Sequence, residues 1–113
     1  MNIQIFGKAK CFDTKKAQRY FRERRIQAQE IDVLKKGPSR GELKSIAAAV
    51  GIERLVDHAA EGAELLRYLA GDEARLEKLL ENPGWLKTPI VRNGRRATVG
   101  YEPETWAAWA AEG

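Results

Sequence analysis

The chain has a single cysteine, a single histidine and four prolines in 113 residues. One thiol cannot close an internal disulfide, and one thiol with one imidazole cannot build a zinc site. No apolar stretch approaches the length that spans a bilayer; the runs are short, as in Ile46 to Val50. The opening residues, Met1-Asn2-Ile3-Gln4-Ile5, hold no basic segment followed by a long apolar one. No signal peptide is expected, and the expected compartment is the cytoplasm. A concentrated block of charge is also missing. The net charge is +4, but 16 acids lie among the 20 lysines and arginines. No basic arm or stripe is interleaved with aromatics, so nucleic acid is not an expected partner.

What is present is an ordinary globular balance, 43% hydrophobic and 32% charged. The length predicts one domain, 1–113, with a modest core, expected to be a monomer. Ile3-Gln4-Ile5-Phe6 alternates, is rich in β-branched and aromatic residues, and stops at Gly7, which reads as a strand. From about Phe12 to Arg25 the spacing becomes helical, with Ala17, Tyr20, Phe21 and Ile26 sharing a face. Gln29 to Leu34 reads as a second strand, parallel to the first through a right-handed crossover. Ser39-Arg40-Gly41-Glu42 is a capping box that opens a helix closed by Gly51. Ile52 to Ala60 reads as a short helix or a loop, and Glu61 to Leu69 as helical. Asp72 is placed to cap a further helix that Asn82-Pro83-Gly84 ends. Residues 39–82 thus form a helical insert. Pro89-Ile90-Val91-Arg92, an Asn93-Gly94 turn and Arg95 to Val99 make a hairpin. Pro103 then suits the first position of a last helix, with Trp106 and Trp109 spaced to pack inward. The expected class is α/β: β-α-β, helical insert, β-β-α.

Chemistry points to Cys11. It stands where a strand and loop give way to a helix, and unpaired backbone N–H groups at such a point favour a thiolate. Lys8, Lys10, Lys15 and Lys16 add to that bias and Asp13 opposes it. Cys11 is therefore either an activated nucleophile for a disulfide or an oxyanion, or a small buried hydrophobe. Thr88-Pro89, directly before a strand, is either a cis bond or a plain trans proline. His58, in a polar segment, reads as a surface residue, and Trp85 as a packing residue.

Taken in order, these features resemble the thioredoxin-fold arsenate reductases of the glutaredoxin-linked type. Their relatives, small arsenate-reductase-like proteins and Spx-type transcriptional regulators, belong to the same resemblance. It rests on Ile3-Gln4-Ile5-Phe6 leading to Cys11, Asp13-Thr14-Lys15-Lys16-Ala17 and Gly37 to Leu43. It also rests on Leu86-Lys87-Thr88-Pro89-Ile90-Val91, Asn93-Gly94 and Val99-Gly100-Tyr101. The resemblance implies a thioredoxin-like fold carrying the helical insert, with Thr88-Pro89 as a cis-proline loop facing the thiol. It further implies a thiol-dependent oxidoreductase with Cys11 as nucleophile, no bound cofactor or metal, and glutathione as co-substrate. Glutathione or a glutaredoxin would be the partner. The residues it nominates around glutathione or substrate are Lys8, Lys10, Thr14, Thr88, Pro89, Arg92 and Tyr101. Thr14 either donates to the sulfur or is an ordinary first-turn hydroxyl; Tyr101 either lines the pocket or packs in the core.

The chain departs from the reductases at the oxyanion. Gly7 stands four before Cys11 where they have histidine, and Thr88 stands where they have arginine. Gly100-Tyr101 falls where a further arginine is expected, and Arg54 or Asp57 falls near another. Arg92, Arg95 and Arg96 compensate only if they point inward. A dianion held by few arginines loses most of its bidentate pairing, which argues against arsenate. The regulators use two cysteines spaced C-x-x-C; here Thr14 fills the second place, so a resolving thiol must come from outside. The competing expectation is a binding module without turnover that contacts RNA polymerase.

Overall fold

Alternation along the first strand decides how the molecule is layered. In the computed structural model, which describes residues 1–112, that strand is β1 (Ile3–Gly7). It pairs in parallel with β2 (Ala28–Asp32) and antiparallel with β3 (Ile90–Asn93); β3 pairs antiparallel with β4 (Arg96–Val99). The sheet order is β2-β1-β3-β4. The helices are α1 (Phe12–Glu23), α2 (Arg40–Val50), α3 (Asp72–Glu81) and α4 (Pro103–Glu112). None is long and apolar enough to cross a membrane among the described residues.

Successive side chains leave a strand on opposite faces, so β1 feeds two separate cores. Ile3 and Ile5, with Val91 of β3, pack against Ala17, Tyr20 and Phe21 of α1 and Trp106 and Trp109 of α4. Rings of Tyr20, Phe21 and Trp106 meet with centroids 5.1–5.2 Å apart. The buried Trp106 indole N–H needs an acceptor, and Thr98 Oγ1 supplies one at 2.8 Å. Phe6, with Ile90 and Val99, faces the other way onto Leu43 and Ile46 of α2, Leu76 and Leu79 of α3, and Leu55 and Leu86.

The expected capping box is present: the Glu42 amide donates to Ser39 Oγ at 3.1 Å and the Ser39 amide to Glu42 Oε1 at 2.9 Å. Several expected boundaries move. β2 ends at Asp32, not Leu34, because the Asp32 carboxylate takes the Leu34 amide at 2.9 Å and its carbonyl takes those of Lys35 and Lys36. Val33 is buried from that turn instead. Within the insert, the expected short helical segments are 3-10 helices at Ile52–Leu55 and Ala63–Tyr68. Gly71, with φ +82°, caps α3 in place of Asp72, whose carboxylate takes Arg75 Nη1 at 3.2 Å. The hairpin turn is Gly94-Arg95, one residue later than Asn93-Gly94. Asn93 stays in the ladder, opposite both Ile3 and Arg96, and its side chain accepts the Asn2 amide at 3.2 Å. Gly94 takes the positive φ, +63°, that a first central position with Gly supplies.

Candidate functional site at the start of the first helix

Cys11 is the N-cap residue of α1, in extended backbone (φ −88°, ψ 118°). Its amide donates to the Lys8 carbonyl at 3.0 Å, and its carbonyl accepts the first helical bond, from Lys15, at 3.2 Å. No side-chain hydrogen bond caps the helix. The sulfur is partly exposed and lies 3.5 Å from the carbonyl oxygen of Thr88, to which an S–H can donate. The Thr88–Pro89 bond is cis.

The insert and the hairpin hold Thr88 and Pro89 in place from two sides. Asp57 donates its amide to Trp85 at 2.7 Å and Lys87 donates to Leu55 at 2.8 Å, a short ladder around Val56 and Leu86. Gly100 donates its amide to the Pro89 carbonyl at 2.8 Å. Trp85, half-buried, steadies the same segment by giving its indole N–H to the Glu61 carbonyl at 3.0 Å.

Burial pushes the Cys11 thiol up, but hydrogen bonds outweigh it. Those bonds come from the Thr14 side chain, the Thr88 side chain, and the amides of Thr14 and Asp13, and the thiol titrates below its ordinary value. The lysines do not produce the shift, which corrects the expectation from the sequence. Lys8 turns its ammonium inward, to the Gly84 carbonyl at 2.9 Å and Asp57 at 3.7 Å. Lys15 lies over the Phe12 ring and Lys16 over Tyr101, with Lys16 also 3.9 Å from Asp13. Lys10 is exposed on the loop. Thr14 is buried, and Tyr101 is exposed with its ring edge-on to that of the core residue Trp106 at 5.6 Å.

A model of the ArsC family matches residues 6–109. This chain belongs to the ArsC family. It is 31% identical over 110 residues to the "Global transcriptional regulator Spx 2" of Oceanobacillus iheyensis, covering 92% of this chain and 80% of that one. To an arsenate reductase of Neisseria meningitidis it is 30% identical over 104 residues, covering 87% and 89%. Among solved structures, the arsenate reductase from Vibrio cholerae superposes with a TM-score of 0.83 at 24% identity, over 96% of this chain and 97% of that one. The fold is the thioredoxin-like one of the arsenate reductases, with the four-stranded sheet described above.

Where arginines would serve an oxyanion, this ArsC-family chain directs them elsewhere. Arg92 does not join the thiol. It shares a sheet face with its ladder partner Gln4, whose Oε1 accepts from Nη1 at 3.0 Å, and it acts on Glu42. Arg96 pairs with Glu112, and Arg54 and Arg95 are exposed. His58 is exposed beside Glu53 at 3.3 Å. Among the described residues no three His, Cys, Asp or Glu side chains are grouped as a metal would need. Two residues escaped the sequence reading. Phe12, 78% exposed, stands beside the thiol as an apolar surface; a large apolar residue directly after the cysteine was the available signal. Gly7, besides ending the first strand, packs against Thr14. Its close contact with Thr14 had no local sequence signal.

Proposed function

We propose that the chain is a thiol-dependent reductase in which Cys11 is the nucleophile and glutathione the co-substrate, in the cytoplasm. One observation carries this reading: a partly exposed sulfur with no second cysteine stands at the N-cap of α1, 3.5 Å from the Thr88 carbonyl oxygen. A thiolate so held attacks an oxidised sulfur of the substrate. A Cys11–substrate disulfide forms and the other substrate sulfur leaves as a thiolate. A glutathione thiolate then attacks the adduct, releasing Cys11 and carrying the substrate sulfur away as its own mixed disulfide. A second glutathione, or a glutaredoxin, completes the two-electron reduction. Thr88 offers its backbone to the glutathione peptide, and exposed Lys10 offers a cation to a carboxylate. Arg92 and Arg96 are paired with Gln4 and Glu112, so a disulfide fits the site better than arsenate.

The test is intact mass after incubation with oxidised glutathione. Wild type gains one glutathione, and Cys11→Ser gains none. An unmodified wild type, together with a thiol that titrates at its ordinary value, rejects the reading.

A second reading, a binding module without turnover, is favoured by the same scarcity of arginines at the thiol and by the likeness to the Spx regulator. Recovery of RNA polymerase subunits by the wild type and equally by Cys11→Ser would support it; recovery by neither removes it.

A further inference from the structure

The positive charge of the chain is unevenly shared. Residues 8–25 hold eight of its 20 lysines and arginines but two of its 16 acids, Asp13 and Glu23, and the rest of the chain is net acidic. Helix α1 gathers much of that excess on one side. Thr14, Ala17, Tyr20 and Phe21 are buried, while Phe12, Lys15, Lys16, Arg19 and Arg22 form an exposed stripe opposite them. The stripe runs about 15 Å from the N-cap, the reach of four to five extended residues. Two aromatic rings stand at its thiol end. Phe12 directly follows Cys11 and is exposed, with Lys15 Nζ 5.8 Å from its ring centre. Tyr101 is exposed too, with Lys16 Nζ 5.6 Å from its ring centre. Nearby acids do not cancel the stripe. Asp13 is 3.9 Å from Lys16, Glu23 is 3.9 Å from Arg19 and Glu30 is 3.5 Å from Arg22, all with exposed side chains. Such pairs are weak and screened, so these cations stay open to another anion. Lys10 and Lys15 lie outside those pairs.

We propose that this stripe is the docking surface for an acidic polypeptide segment that carries an oxidised cysteine, and that docking brings that cysteine's disulfide to Cys11. The proposal rests on the thiol reading above and names its substrate class. Charge complementarity sets the sign of the partner, and the length and start of the stripe set its kind. A segment lying along α1 places a residue beside Cys11, because the stripe begins at that residue. Phe12 offers an apolar surface there for a side chain of the segment to cover. A small disulfide covers only the thiol end and leaves Arg19 and Arg22, two turns or more along the helix, unused. The chemistry balances without a further reactant. The Cys11 thiolate attacks one sulfur of the segment's disulfide, a Cys11–sulfur bond forms and the sulfur–sulfur bond breaks. The departing sulfur leaves with the electron pair as a thiolate and takes a proton from water.

The test compares two peptides of equal length, one with glutamates and one with lysines around a cysteine held as a mixed disulfide with thionitrobenzoate. Release of the coloured thiolate gives the rate of transfer to Cys11, and alkylation by neutral iodoacetamide reports the thiol itself. At low salt the glutamate peptide is expected to react about tenfold faster than the lysine peptide. Salt should bring the two rates together, since exposed charges are screened over about 8 Å at physiological ionic strength. Arg19→Gln combined with Arg22→Gln should shrink the preference severalfold and leave alkylation unchanged, because both side chains are exposed and lie well along the helix from Cys11. Equal rates for the two peptides overturn the proposal, as does a preference that the double variant keeps in full. A duplex DNA that displaces the glutamate peptide at physiological salt assigns the stripe to nucleic acid and also overturns it. Transfer to neither peptide is a different failure: it removes the thiol reading on which the docking surface rests.

Discussion

Helices α1 and α2 both start from a residue in extended backbone, yet their first turns are completed differently. At α2 two donors are used internally: Ser39 and Glu42 exchange side-chain and backbone hydrogen bonds. At α1 the cap residue is Cys11, no side-chain hydrogen bond caps the helix, and the sulfur is partly exposed with its thiol below its ordinary value. Hydrogen bonding also lowers the acid at α2. The Ser39 amide is the largest influence holding Glu42 below its usual range; burial opposes it, and Gln4, the Ser39 hydroxyl and Arg92 assist. The same backbone geometry therefore serves stability in one place and reactivity in the other. The difference is whether the acceptor at the cap is an oxygen already bonded within the turn or a polarisable sulfur open to solvent.

That contrast can be broken in three ways. The largest effect should come from Ser39→Ala, which strips the closed cap and lowers stability by about 1 kcal/mol. Urea midpoints measure the loss, and the Cys11 alkylation rate should not move; a coupled fall in both would mean the two helix starts are not independent. Cys11→Ser should act in the opposite direction. A hydroxyl at an N-cap accepts from the amides better than a thiol, so this variant gains about 0.5 kcal/mol while losing all thiol chemistry. A midpoint at or below wild type would show that the sulfur already satisfies those amides.

Glu42→Gln should give the smallest change, and one that depends on pH. The folded carboxyl titrates below its ordinary 4.5. Its contribution is therefore complete above that value and is lost as pH falls through the folded one. The advantage of wild type over Glu42→Gln should be present at neutral pH and vanish in stronger acid. A difference that persists unchanged in acid would assign the stabilisation to shape instead of charge.

Much of this was legible along the chain, for a local reason. Strand alternation at Ile3 to Phe6, the Ser39–Glu42 box and the inward Trp106 and Trp109 are short-range patterns, and the structure realises each. The errors arise where distant residues compete. The hairpin turn moved by one because Asn93 is held opposite Ile3, far away in sequence. The lysines looked like the activators of Cys11 because sequence proximity suggests spatial proximity. Lys8 instead crosses to Gly84 and Asp57, which only the folded insert brings within reach. Arg92 looked available to an anion, but its partner Gln4 is set by strand register.

The sequence by itself determined the element order, the two-faced sheet, and a lone cysteine at a helix start, because periodicity and capping act over a few residues. Tertiary structure decided what that cysteine experiences. Thr88 reaches the sulfur across the chain, and Thr14, three residues after Cys11, is buried because Gly7 leaves room for its side chain. Contacts of that kind depend on how closely packed elements approach, and steric room between two elements is not written in either one alone.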